Sequence, residues 1–302
     1  MGFIGSCLAN LYVAQRSEVF VYDNGFAGKR EFLQPQVNLI EADIIDHAHF
    51  SACIKQIAPS IVFHLAAYHF IPYCNAHPEE TLRVNVEGCY AVLRACQEAS
   101  VARVVLASSG AIYDDTAEEI GEDAPIAPFD VYGLSKQMAE QCAEFFAKRH
   151  QLAVTVARFF NTYGPNETQD HLIPAIIRQL QVGDTVRLGN IITKRDFIFV
   201  EDVAAALMRL ATMAYTGYLT VNVGTGQEYS AREIVEMIGQ ILARNLTIKT
   251  DQLLTRQSDK LHQRASTERL QRVTGWTPRY SLRAGLTKLL QAEGLLANHQ
   301  QL

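Results

Sequence analysis

Short β-branched runs alternating with stretches of helical periodicity constrain this chain more than any other feature. The runs at 19–22, 61–65, 104–107 and 154–157 are separated by segments in which apolar residues recur at helical spacing. That order predicts a parallel sheet covered by helices, because a helix must carry the chain back before the next parallel strand can start. In the 79–99 stretch, Leu82, Val86, Ala91, Leu93 and Cys96 mark one buried face. Further helices are predicted over 132–150, 173–181, 202–213, 231–243 and 281–291. After about Asn161 the alternation loosens into pieces punctuated by Gly164-Pro165, Gly183-Asp184 and Gly224-Thr-Gly226. The expectation is a doubly wound α/β domain over 1–160 and a smaller lobe over 161–302, some of whose segments return to the first domain. A ligand crevice is expected between the two.

The 302 residues are enough for about two domains. With 48% hydrophobic and 20% charged residues the chain has the composition of an ordinary globular protein. A net charge of -5 offers no basic field for nucleic acid or an anionic membrane, so neither is an expected partner. No apolar run approaches the roughly 20 residues of a membrane span. The six cysteines lack a C-x-x-C pair, which reads as reduced thiols in a cytoplasmic protein.

The chain opens Met1-Gly-Phe-Ile-Gly5 and runs straight into an apolar helical pattern. Gly2 and Gly5 have the spacing of the last two glycines of G-x-x-G-x-x-G, where backbone must approach a pyrophosphate at a helix N-terminus. Two glycines alone say little. Asp23 adds weight: it ends a strand about 20 residues on, where a carboxylate can accept hydrogen bonds from both ribose hydroxyls and would repel a 2′-phosphate. It can equally be the turn residue of Asp23-Asn-Gly25.

Tyr132-Gly-Leu-Ser-Lys136 puts a phenol and an ammonium one helical turn apart, where the cation favours the phenolate and is expected to lower the Tyr132 pKa. Upstream, the 104–107 run leads into Ser108-Ser109, which sets hydroxyls at the carboxyl end of a parallel strand, where open α/β sheets hold ligands. Tyr-x-x-x-Lys by itself is a common accident, and serine at a strand end is a common turn residue.

Together the Gly2-Phe3-Ile4-Gly5 opening and the Ser109, Tyr132, Lys136 spacing resemble the extended short-chain dehydrogenase/reductase family. The resemblance implies that Tyr132 is the general base and acid, that Lys136 binds the nicotinamide ribose, and that Ser109 hydrogen-bonds the substrate oxygen. It also implies a cofactor site of Gly2, Phe3, Ile4, Gly5, Asp23, Asp43, Ile44, Leu65, Ala66 and Ala67, with NAD as cofactor. Asn85-Val-Glu-Gly88 resembles the family's helix beside that site. Arg158-Phe-Phe-Asn161 and Lys194-Arg195-Asp196 resemble its substrate-side segments, and Arg256-Gln-Ser-Asp259 its later R-x-G-D. Asn161, Leu172, Arg195 and Arg256 are thereby implied as substrate contacts, the two arginines suiting a diphosphate. A homodimer through the 79–99 and 132–150 helices is implied as well.

Four departures shape the expectation. The family's first strand and first glycine are absent ahead of Gly2, and that strand is the centre of the sheet, so flanking strands would be left with unpaired backbone. A native chain with about 8 to 10 further residues before Met1 is expected on that ground. Gly110-Ala111 follows Ser109 where related dehydratases carry Asp-Glu, which favours epimerisation over elimination of water. His69 stands where related epimerases commonly have lysine, its role open between a cofactor contact and an ordinary loop histidine. Gln263 falls where the residue beside the sugar varies. His47-Ala-His49 lacks a third ligand at metal spacing and is expected in an exposed loop, so no metal is expected. The resulting expectation is NAD-dependent epimerisation of a nucleotide sugar, at C4 of a UDP-sugar. The alternatives are a net reductase or dehydrogenase, a dehydratase, and an inert binding protein.

Overall fold

The computed structural model describes residues 1–116, 118–254 and 260–297. Its central feature is a four-stranded parallel sheet in the spatial order Tyr218–Val223, Val154–Phe159, Arg103–Ser109, Ile61–His64. Side chains alternate between its faces as the pleat requires. Val104, Leu106, Val154 and Val156 join a core with Phe50, Val92, Leu93, Ala143 and Phe146. Val105, Ala157, Val221 and Val223 face the other way, onto Leu8, Val203, Leu207, Leu210 and Trp276. Two helical layers thus enclose the sheet, the first from His47–Ile57, Cys89–Glu98 and Val131–His150, the second from Phe3–Ala14 and Val200–Thr212.

The predicted helices lie within two residues of observed ones at Val131–His150, Leu172–Leu180, Val200–Thr212, Ala231–Leu242 and Leu282–Ala292. The 79–99 helix is a continuous helical run built of Pro78–Leu82, a π-turn at Arg83–Gly88, and Cys89–Glu98. Gly88 sits in that turn because a Cβ there would come 2.8 Å from Ile44 Cδ1. His47 and His49 are not in a loop: they form the first turn of His47–Ile57, capped by Asp46, whose carboxylate accepts from the His49 amide. The strand Tyr218–Val223 was not among the runs singled out in the sequence, and it takes its place in the sheet by pairing with Val154–Phe159.

A second apolar cluster brings Ile173, Ile176, Val186, Phe197, Phe199, Ile234, Ile238, Leu286 and Leu290 together. It is ordered by short strands, including Lys194–Phe199 between Glu228–Ser230 and Asn161–Tyr163. Buried Asp196 ties the two regions, since its carboxylate accepts from the amides of Thr225, Gly226 and Ala265.

The sheet is split. Phe20–Asp23 and Asn38–Glu41 pair with each other as a separate parallel ribbon. Among the described residues, no strand joins Phe20–Asp23 to Ile61–His64, and both strands line one cavity of 1020 Å³. Burial records the gap: Val104 to Ala107 are all buried, whereas only His64 is buried in Ile61–His64 and nothing is buried in Phe20–Asp23. The expected absence of a central strand therefore appears as a slot between two half-sheets, each presenting one unpaired edge.

Candidate active site

The cavity runs from the slot to the carboxyl ends of the strands, and the sequence-predicted residues converge there. Gly2, Phe3, Ile4, Gly5, Asp23, Asp43, Ile44, Leu65, Ala66, Ala67, Ser109, Tyr132, Lys136, Asn161, Leu172 and Arg195 all line it. Arg256 lies outside the described residues.

Tyr132 and Lys136 are brought to the cavity by the start of Val131–His150. Asp130 caps that helix, its Oδ1 accepting from the Gly133 amide at 2.7 Å. Gly133 has no room for a side chain, since a Cβ would meet the Ala111 carbonyl oxygen at 2.9 Å. Close approach of the helix to the loop after Ser109 is thus built into the residue choice, and the Tyr132 phenol hydrogen-bonds Ser109. The Lys136 ammonium donates to the Ala107 carbonyl at 3.0 Å and lies 5.8 Å from the Tyr132 ring centre.

The electrostatics differ from the sequence expectation. Burial raises the Tyr132 pKa above the ordinary phenol range, and the Ser109 hydrogen bond opposes that shift. Lys136 is not among the groups that lower it: its ammonium lies on the Ala107 carbonyl, and a lysine whose own pKa is lowered by burial gives up its charge before the raised phenol ionises. Burial also pushes Lys136 itself down to about 8. Both groups are more easily neutral here than in water, as expected of a desolvated pair.

The support beneath the triad is polar and fully paired. Asn85 clamps the loop after Ile61–His64, accepting from the Tyr68 amide at 2.8 Å and donating to its carbonyl at 2.9 Å, and donates to Ser135. Arg158 grips Glu140 through Nε at 2.9 Å and Nη2 at 2.7 Å, and Ser108 donates to the same carboxylate. Arg158 is therefore a buried strut under the strand ends. Breaking a buried ion pair strands its partner's charge, so Arg158→Met is expected to cost about 3–5 kcal/mol in urea unfolding. The Glu140→Leu, Arg158→Met double variant is expected to recover most of that loss.

At the nucleotide end, Gly2 caps Phe3–Ala14 with no side-chain hydrogen bond. A Cβ on Gly2 would meet nothing within 4 Å and one on Gly5 only Leu65 at 3.8 Å, so the uncapped first turn is open for an anion. Asp43 is occupied in shaping the loop: its Oδ1 accepts from the Ile45 amide and its Oδ2 from Asn24. Asp23 lines the cavity, but the Met1 ammonium pairs with its Oδ2 at 2.7 Å and the Gly25 amide donates to its Oδ1 at 2.8 Å. The glycine turn and the triad suit a dinucleotide, while Asp23 must exchange the ammonium for ribose hydroxyls to take part.

On the substrate side, Gln263 is buried and donates to the Gly110 carbonyl at 3.0 Å. A Cβ on Gly110 would come 3.1 Å from Gln263 Nε2 and 3.3 Å from Phe160 Cζ, so the place where dehydratases carry an acid is filled by packing. Sequence reasoning missed Glu167 and His171, which line the cavity beside His69. Their only signal was an acid and a histidine four apart in a Gly-Pro-punctuated stretch.

A sequence profile described as "NAD dependent epimerase/dehydratase family" matches residues 1–224. GDP-6-deoxy-D-mannose reductase from Pseudomonas aeruginosa is 31% identical over 242 residues, covering 77% of this chain and 79% of that protein. UDP-glucose 4-epimerase from Lactobacillus helveticus is 28% identical over 299 residues, covering 92% and 90%. Among solved structures, MoeE5 in complex with UDP-glucuronic acid and NAD superposes with a TM-score of 0.87 at 32% identity, covering 96% of this chain and 95% of that one.

Proposed function

The chain belongs to the NAD-dependent epimerase/dehydratase family, and from that premise we propose that it epimerises a nucleotide sugar, at C4 of a UDP-sugar. The observation that carries this reading is Ser109, Tyr132 and Lys136 lining one cavity beside Gly110, which carries no acid and where an added Cβ would crowd Gln263 and Phe160. Elimination of water needs a further acid and base at the sugar; inversion at C4 needs only one group to move a proton at O4.

NAD, when bound, supplies a hydride acceptor that later returns the hydride. The chain's own residues do the rest. Gly2 to Gly5 would hold the diphosphate on the helix N-terminus, with Ile44, Leu65, Ala66 and Ala67 forming the apolar wall. Tyr132 takes the O4 proton and gives it back, and Ser109 holds O4 by hydrogen bond. Lys136 would orient the nicotinamide ribose. Asn161, Leu172, Arg195 and Gln263 line the remaining side, where the nucleotide and sugar would lie.

Net reduction is the second reading, favoured by the 31% identity to a GDP-sugar reductase. Incubation with UDP-glucose, UDP-galactose, UDP-glucuronate and a GDP-4-keto-sugar, following products by chromatography and NAD(P)H by absorbance, separates the two. Sugar interconversion without net change in NADH is expected. Consumption of one NAD(P)H per product would replace epimerisation by reduction.

We also propose a homodimer through the two long helices. Tyr90, Leu134, Met138 and Phe145 expose 36–48% of their surface on Cys89–Glu98 and Val131–His150, where a second copy would cover them. Leu134→Glu with Phe145→Glu is expected to give monomers in sedimentation, and an unchanged dimer would move the interface elsewhere.

A further inference from the structure

We propose that His69, Glu167 and His171 form a site for a divalent transition-metal ion of the zinc class, with an open position toward the cavity that holds Tyr132. One ligand atom from each lies within 4.8 Å of the other two. His171 Nδ1 and Glu167 Oε2 are 3.5 Å apart, about the edge of a tetrahedron around an ion bonded at 2.0–2.1 Å. The His69 ligand atom lies within 4.8 Å of both others, and its ring lies 5.6 Å centre to centre from that of His171.

The donors are prepared as metal ligands are. The Glu167 side chain is only 5% exposed, and its sole ion pair among the described residues is with His171. Its other oxygen accepts from the Gln169 amide at 3.0 Å, which fixes the carboxylate. The His69 ring hydrogen-bonds the Ala67 backbone, the arrangement that sets a tautomer and aims the second nitrogen at an ion. His171 precedes Leu172–Leu180 without capping it, leaving its side chain free for the cluster. A buried carboxylate facing two imidazoles is short of positive charge, and a divalent cation supplies it. Three protein ligands with the fourth position facing a substrate cavity is the pattern of a reactive rather than a structural zinc site, open to water or a substrate oxygen.

The test uses the full chain stripped by chelator, without NAD or nucleotide sugar. Zn²⁺ is titrated against a chromogenic indicator, and Co²⁺ is followed by its visible spectrum. One equivalent of tightly held Zn²⁺ and a four-coordinate Co²⁺ spectrum are expected for the unaltered chain and for His49→Ala. Glu167→Gln and His69→Ala, each checked for an unchanged melting profile without metal, are expected to lose at least about 100-fold in affinity. Equal binding by these variants would assign the metal to other histidines, and no stoichiometric binding would leave the cluster as an imidazole–carboxylate pair; either overturns the site. Because no cofactor or substrate is present, failure here leaves the epimerase reading intact, and failure of that reading leaves this result readable.

Discussion

On the proposed function, Tyr132→Phe is expected to lower turnover of the nucleotide sugar by about 10²–10⁴-fold, the range for removing one positioned acid–base group, while NAD and nucleotide-sugar affinity stay within about twofold. The ring fills the same space, so the packing of Val131–His150 against the Ser109 loop is undisturbed. Only the hydroxyl that meets Ser109 is lost. Ser109→Ala, which removes a hydrogen bond but no proton carrier, falls by about tenfold. Steady-state kinetics with calorimetric binding of NAD checks both. A Tyr132→Phe enzyme keeping more than about a tenth of its turnover would take the proton transfer away from this residue.

The second large effect concerns the slot between the half-sheets. Adding about eight residues ahead of Met1, an apolar strand of Val and Ile followed by a glycine turn, is expected to raise stability. Each buried Val or Ile contributes about 1.5–3 kcal/mol, and ordering the added backbone costs about 1–2 kcal/mol per residue. What tips the sum is burial already prepared on both sides: Phe20 is 41% exposed, and Ile61, Val62 and Phe63 are only partly covered. The new strand also pairs the two bare edges of Phe20–Asp23 and Ile61–His64. The melting point rises with it, by about 2–4 °C for each kcal/mol gained. The same extension turns the Met1 ammonium into an amide, which releases Asp23 Oδ2. NAD then binds about tenfold more tightly or better, since a hydrogen bond to a charged group is worth about 1.5–3 kcal/mol. A version with proline in the middle of the added strand is the control, because a central strand cannot hold one. If the two extended chains melt alike, the slot does not take a strand.

Much of this was legible in one dimension. Apolar periodicity placed the long helices within two residues, because burying one face of a helix requires that pattern whatever the neighbours are. Spacing brought Tyr132 and Lys136 to one helix face, and the absence of a central strand was implied by the family resemblance of the Gly2-Phe3-Ile4-Gly5 opening, which lacks the strand and glycine that precede it in that family. The strands Tyr218–Val223 and Lys194–Phe199 were hidden, since a strand's stability comes from its partners and neither has a distinctive pattern alone. The loop expected at His47 and His49 is the first turn of a helix, because a cap by Asp46 has no periodicity to announce it.

The sequence by itself placed Tyr132 and Lys136 one helical turn apart, Gly2 and Gly5 at the head of a helix and a glycine rather than an acid after Ser109, because each depends on residue type at a fixed local offset. Tertiary structure alone decided their charge states and company. Burial, not Lys136, controls the Tyr132 pKa; the Met1 ammonium, 22 positions away in sequence, occupies Asp23; and His69 meets Glu167 and His171 across about a hundred residues. Desolvation and through-space pairing depend on which surfaces the fold presses together, and no local pattern encodes that distance.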